Sequence, residues 1–293
     1  MSSNLTIALT ADLHWGAHRD DGDLCTRRLV ADLADQPPDL LILVGDIGAG
    51  EDFEHCLELF DGLSCRKALV PGNHDIWVRE EDERGDSWDV YRQYLPKISA
   101  THGFHYLDHA PLLLPEAGLA IVGSMNWYDY SWSIADLPKY DVHWEERLRR
   151  KLFTRGLHND GRFVRWQHTD ESFTAHVVDQ FERQLQETLR TVPQALIATH
   201  HPAFEGLNPP PVRPPHLDQL LWKAFSGNRS LELLLERHGK QIAAIFSGHT
   251  HRAADTHFHG IPGHNIGGDY TWKRLLRLEW PSGKITAREF HPE

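Results

Sequence analysis

An α/β fold with strands buried on both faces is predicted by two features. Five apolar runs of strand length each end in a polar cluster, and the segments between them show helical periodicity. The runs are LTIALT before Asp12, LLILV before Gly45, KALV before Pro71 and Gly72, ALIAT before His200, and IAAIF before Gly248. Near-continuous apolarity over so few residues belongs to strands covered on both sides. LCTRRLVADLADQ after the first run and FEHCLELFDGL after the second carry apolar residues at helical spacing. Strand followed by helix, repeated, is the pattern of an α/β sheet.

The middle of the chain reads differently. FHYL, PLLL and LAIVGS are short strand-like pieces without long helices between them, which predicts a second sheet or a pairing onto the first. Residues from about 125 to 180 carry Trp127, Trp132, Trp144, Trp166 and the basic run ERLRRKLFTRGLHNDGRFVR. They are read as an insertion in one domain spanning residues 1–293. The basic run is taken as the exposed face of a helix whose Trp and Leu residues pack down, with substrate contact by its arginines as the alternative. ESFTAHVVDQFERQLQETLRTV is predicted helical as far as Pro193, NPPPVRPPH as a rim loop, and RLLRLEW and KITAREF as closing antiparallel strands.

Hydrophobic residues make up 40% and charged residues 25% of the 293, enough apolar material for a packed core. The formal net charge of -12 argues against a general nucleic-acid surface, which needs clustered Lys and Arg. MSSNLTIALTADLHWG has no basic segment ahead of its apolar run and is expected to be a strand rather than a signal peptide. No stretch approaches the roughly 20 apolar residues of a membrane-spanning helix. Cys25, Cys56 and Cys65 are odd in number and lack CxxC spacing. Free thiols in a reducing compartment, the cytoplasm, are expected.

The polar clusters are Asp12-Leu13-His14, Gly45-Asp46, Gly72-Asn73-His74-Asp75, Thr199-His200-His201 and Gly248-His249-Thr250-His251. Ligands of open α/β sheets bind beyond the carboxyl ends of the strands, so these distant residues are expected to meet there. Two carboxylates, an amide oxygen and several imidazoles suit first-row divalent ions such as Mn, Fe, Zn or Co. Asp12 and His14, and likewise His249 and His251, are two residues apart, which puts both side chains of each pair on one side of an extended segment. Gly45, Gly72 and Gly248 fit tight strand exits. His201 is expected behind the ligands, because adjacent strand residues point to opposite faces. His102, His105, His109, His257, His259 and His264 follow no strand-end pattern and are read as packed or solvated.

The ordered set DxH, GD, GNHD, H and GHxH, over residues 12–251, resembles the signature of the calcineurin-like metallophosphoesterases. The resemblance implies a two-sheet β-sandwich flanked by helices, in four layers, with the metal site at the carboxyl ends of the strands. It implies that Asp12, His14, Asp46 and His251 bind one metal and that Asp46, Asn73, His200 and His249 bind the second. His74 would orient or protonate the ester oxygens, with Asp75 holding its imidazole. The implied cofactors are two divalent ions, Mn and/or Fe, with Zn, Co and Ni also compatible.

Two such ions about 3.5–4 Å apart lower the pKa of a bridging water, so a metal-bridging hydroxide can hydrolyse a phosphate ester. With only Asp12 and Asp46 anionic, about two positive charges remain to attract the phosphate of a small phosphomonoester or phosphodiester. A nuclease like the family's double-strand-break-repair members is the second reading, opposed by the acidic balance. A non-catalytic protein-binding scaffold is the third, opposed by the seven retained ligands and His74. Asn126, Trp127 and Tyr128, which follow LAIVG, are expected to line the substrate pocket. No membrane is expected as a partner, and nothing in the sequence sets an oligomeric state.

Overall fold

The computed structural model describes residues 4–210 and 212–292. Pro211 of the expected rim loop, Met1–Ser3 and Glu293 lie outside them. The apolar runs become strands β1 Leu5–Thr10, β2 Leu40–Val44, β3 Arg66–Val70, β7 Gln194–Thr199 and β8 Ile242–Ser247. Of the three middle pieces, β4 Phe104–Tyr106 pairs onto β3, while β5 Leu112–Leu114 and β6 Leu119–Ser124 found the second sheet. Strands β9 Ala254–Phe258, β10 Ile261–Asn265, β11 Lys273–Trp280 and β12 Lys284–Phe290 complete the set.

The first sheet runs β12-β11-β1-β2-β3-β4 and the second β5-β6-β7-β8-β10-β9. Both are mixed. The cores are parallel, and in the first sheet β11 adds antiparallel to β1 and β12 antiparallel to β11. The chain thus closes on antiparallel strands as expected, except that β10 lies parallel to β8.

Alternation inside the apolar runs explains why there are two sheets. Ile7, Leu9, Leu40, Ile42, Val44 and Val70 face Leu119, Ile121, Leu196, Ala198 and Phe246 across the sandwich. The intervening Ala8, Leu41, Leu43 and Leu69 point outward to helices, as do Val122, Ala195, Ile197 and Ile245 on the other sheet. Both faces of these central strands are therefore dry, which is why the runs show no polar alternation.

The helices are α1 Gly22–Asp35, α2 Asp52–Glu58, α3 Ser87–Asp89, α4 Leu95–Thr101, α5 Trp144–Arg150, α6 Asp160–Phe163, α7 Asp170–Thr188, α8 Leu217–Ala224 and α9 Arg229–His238. Thr169 caps α7 by accepting from the Ser172 amide at 3.1 Å, and Asn228 caps α9 by accepting from Leu231 at 2.8 Å.

The middle segment corrects one expectation. The basic run is not one helix: α5 stops where Lys151 turns left-handed, and only the short α6 follows. Helix α7, Asp170–Thr188, is the helix expected from ESFTAHVVDQFERQLQETLRTV, and it packs Phe173, Val177, Phe181 and Leu185 inward. Residues 125–169 contain no strand among the described residues.

Gly123 of β6 packs closely against Val70 of the first sheet and Leu107. A Cβ there would lie 2.5 Å from Val70 Cγ1 and 2.6 Å from Leu107 Cβ. Gly123→Val should lower the unfolding free energy by about 1–3 kcal/mol in a urea titration, because the dry interface has no room to give. Unchanged stability would mean that the sheets can separate locally.

Candidate metal centre

The loops leaving β1, β2, β3, β7 and β8 meet at one end of the sandwich, and the polar clusters lie in them. The backbone is not extended there. Asp12 (φ 56°), His14 (φ 44°), Asp46 (φ 52°), His249 (φ 71°) and His251 (φ 56°) are all left-handed. This corrects the extended-segment reading of the DxH and HxH pairs: the side chains converge because the chain curls at each of these residues. Asp and His tolerate this region better than most residues, at a cost of order 1–3 kcal/mol each, and such strain gathers at functional sites.

The glycines make room for ligands. A Cβ on Gly45 would sit 2.3 Å from His200 Nδ1, one on Gly72 would sit 2.1 Å from Asp46 Oδ1, and one on Gly248 would sit 3.1 Å from Asp12 Oδ2.

Two groups of donor atoms result, Asp12, His14, Asp46 and His251 in one and Asp46, His200 and His249 in the other, with the atoms of each within 4.8 Å of one another. Asp46 belongs to both. In the first, His14 Nε2 faces His251 Nε2 at 2.8 Å and lies 3.7 Å from Asp46 Oδ2, while His251 Nε2 lies 3.9 Å from Asp12 Oδ1. In the second, Asn73 Oδ1 lies 3.0 Å from His200 Nε2 and 3.3 Å from His249 Nδ1, and His200 Nε2 is 3.3 Å from Asp46 Oδ1. The structure thus brings together all seven expected ligands.

Their protonation suits cations. His200 Nδ1–H donates to the Val44 carbonyl at 3.1 Å, which leaves Nε2 facing the centre as the nitrogen that could ligate a cation in place of its proton. Asp12 Oδ2 and His249 Nε2 are buried without a hydrogen-bond partner. Without cations, burial pushes the Asp12 carboxyl up to about 6. Burial also opposes the charge on Asp46, but His200, His74 and His14 outweigh it and hold that carboxyl well below the usual range. Burial likewise depresses His200, yet Asp46 raises it to about 9. Lone pairs aimed at a common point, balanced only by protons on the ligands, fit divalent ions.

His74 donates its backbone N–H to Asp46 Oδ1 at 2.9 Å and stacks its ring on Trp77, centroids 3.6 Å apart. Its Nε2 lies 3.7 Å from Asp46 Oδ2. Burial pushes the imidazole down to about 4. Asp75 does not hold it, contrary to expectation. The Asp75 carboxylate accepts from the amides of Ile47 at 2.8 Å, Gly48 at 2.9 Å and Gly72 at 2.7 Å, so it ties the Asp46 loop to the Asn73 loop.

Asn126, Trp127 and Tyr128 do not line a pocket; they are buried. Asn126 Nδ2 donates to Pro202 O at 3.2 Å, Trp127 Nε1 to Asp170 at 2.9 Å and Tyr128 OH to Asp160 at 2.9 Å. They pack behind the ligands, where His201 also sits with its ring 4.2 Å from that of His249. Rings that the strand-end pattern did not single out are partly exposed instead: Tyr270 stacks on His14 at 4.2 Å and Trp222 on His249 at 5.6 Å. Lys273, fully buried, donates to the Asp12 carbonyl at 3.3 Å. Tyr270 and Lys273 lie beyond the last motif, so no spacing rule reaches them.

The family profile of the calcineurin-like phosphoesterases matches residues 5–253. The chain belongs to this family. As a calcineurin-like phosphoesterase it shares the fold of a phosphopantetheinyl hydrolase from Mycobacterium tuberculosis, with 17% identity, TM-score 0.66, and 91% of this chain and 90% of that one covered. A Thermus thermophilus protein is similar at 14% identity and TM-score 0.59, with 99% and 100% covered. A dimetal phosphatase from Danio rerio is similar at 14% identity and TM-score 0.53, with 98% and 99% covered. No curated protein matches the chain in sequence. The family is dinuclear and metal dependent. No helix among the described residues is long and apolar enough to cross a membrane.

Trp127→Ala should cost about 3–5 kcal/mol of unfolding free energy by chemical denaturation, as expected for a buried aromatic. Full stability with lost phosphoesterase turnover would place the ring against substrate instead.

Proposed function

We propose that the chain hydrolyses small phosphomonoesters or phosphodiesters at a dinuclear centre. The observation that carries this reading is the shared Asp46, which joins the two groups of donors while His74 stands beside them. Asp12, His14, Asp46 and His251 would hold one ion and Asp46, Asn73, His200 and His249 the other. The mixed oxygen and nitrogen set favours Mn or Fe, with Zn, Co and Ni compatible. When bound, the ions would supply a nucleophile at neutral pH and neutralise the phosphoryl oxygens.

The chain's own residues do the rest. Val44 fixes the His200 tautomer, and Asp75 locks the Asp46 and Asn73 loops to each other. His74, depressed by burial and further depressed by any neighbouring cations, is neutral near pH 7. It can donate one N–H to an ester oxygen, with Trp77 holding its ring plane. Tyr270 and Trp222 hold the ring planes of His14 and His249 by stacking on them. The three free cysteines accord with a reducing compartment.

The test uses p-nitrophenyl phosphate and bis-p-nitrophenyl phosphate with chelator-stripped protein titrated with Mn. Wild type should turn over at least one ester only with metal, and the preferred ester separates monoesterase from diesterase. Asp46→Ala should lose turnover and bound metal together, whereas His74→Ala should keep its metal and lose about 10²–10⁴-fold in kcat. Metal-independent turnover, or full activity in Asp46→Ala, would overturn the reading.

A further inference from the structure

Residues 125–169 deliver one carboxylate to the back of the centre. Asp160, at the start of α6, is buried. Its Oδ1 accepts from Asn73 Nδ2 at 2.8 Å and from Trp77 Nε1 at 2.9 Å, and its Oδ2 accepts from the Tyr128 hydroxyl at 2.9 Å. His158 Nδ1 lies 3.4 Å from the same Oδ2. We propose that Asp160 is a positioning residue that sets the amide of Asn73 and thereby builds the second metal site. The inference rests on reading Asn73 as a ligand.

The argument is one of donor and acceptor matching. The two ends of a primary amide differ: only Oδ1 can ligate a cation, and Nδ2 can only donate. An ionised carboxylate only accepts, so it selects the amide orientation with Nδ2 toward itself. That orientation turns Oδ1 to His200 and His249. The flipped amide would set oxygen against carboxylate and NH2 against the ligand nitrogens. The Asp160 Oδ1 that accepts from Asn73 also accepts from the Trp77 indole on which His74 is stacked, so one carboxylate oxygen braces a ligand and the support of the candidate catalytic imidazole.

The placement also gives the middle segment a role other than phosphate contact. Its arginines need not reach the substrate for it to matter to the site, because it contributes an acceptor that the strand-end loops lack. Outer partners of this type are worth about 10–100-fold in metal affinity.

The test is calorimetric titration of chelator-stripped protein with Mn alone, comparing wild type, Asn73→Ala, Asp160→Ala and Asp160→Asn. Wild type should bind two Mn. Asp160→Ala should bind one normally and the second about 10–100-fold more weakly. Asp160→Asn should stay near wild type, because its amide oxygen can accept from Asn73 while its NH2 donates to Tyr128. If Asn73→Ala loses the second Mn but Asp160→Ala binds both as wild type does, the positioning proposal is overturned alone. If Asn73→Ala binds both normally, the ligand reading beneath it is overturned.

Should Asp160→Ala fail to fold, Asn73→Asp carries the test. It supplies a stronger ligand but no donor to Asp160, so the second Mn should weaken, and it should recover in the double variant Asn73→Asp, Asp160→Asn. Tighter second-site binding in Asn73→Asp alone would overturn the proposal.

Discussion

The site depends on one electrostatic constraint: two carboxylates, an amide oxygen and the imidazoles of His14, His200 and His249 are buried against one another, with the half-buried His251 at their edge. Such a cluster is costly in a low-dielectric interior unless cations compensate it. In the bare protein the compensation falls to protons, with His200 drawn up and Asp46 held down as an ion pair. Divalent ions held by these residues would take the place of those protons. The site is therefore assembled for charge it must import.

The sandwich makes the assembly possible. Parallel strands from two sheets end at the same edge, so loops distant in sequence arrive within a few ångströms of each other. The dry faces of the sheets hold the strand ends rigidly, and the loops absorb the strain in left-handed residues that are themselves ligands. Glycines at 45, 72 and 248 are required by proximity: a methyl group at any of them would occupy space taken by a ligand side chain or its neighbour. Asp75 then stitches two of the loops together through backbone amides.

What could be read from the sequence follows from this geometry. The strands were legible because a two-faced burial leaves an uninterrupted apolar run, and the ligands because each stands within a few residues of a strand end. The local conformation was not, since spacing alone cannot distinguish an extended pair from two left-handed turns. Asp75 was assigned to its neighbour His74, whereas its acceptors are satisfied by amides of Gly72 and of Ile47 and Gly48, more than twenty residues away. Asn126, Trp127 and Tyr128 follow a strand end as the ligands do, yet their polar atoms bond to groups behind the site. Asp160 carried no signal, because a short acidic interruption in a basic run looks like surface until the fold turns it inward.

The most direct test of the central claim is anomalous diffraction from crystals of the protein loaded with Mn, recorded above and below the Mn edge. The account predicts two peaks about 3.5–4 Å apart on either side of the Asp46 carboxylate. One peak should lie against Asp12, His14 and His251 and the other against Asn73, His200 and His249. A single peak, or two peaks that do not share Asp46, would contradict it.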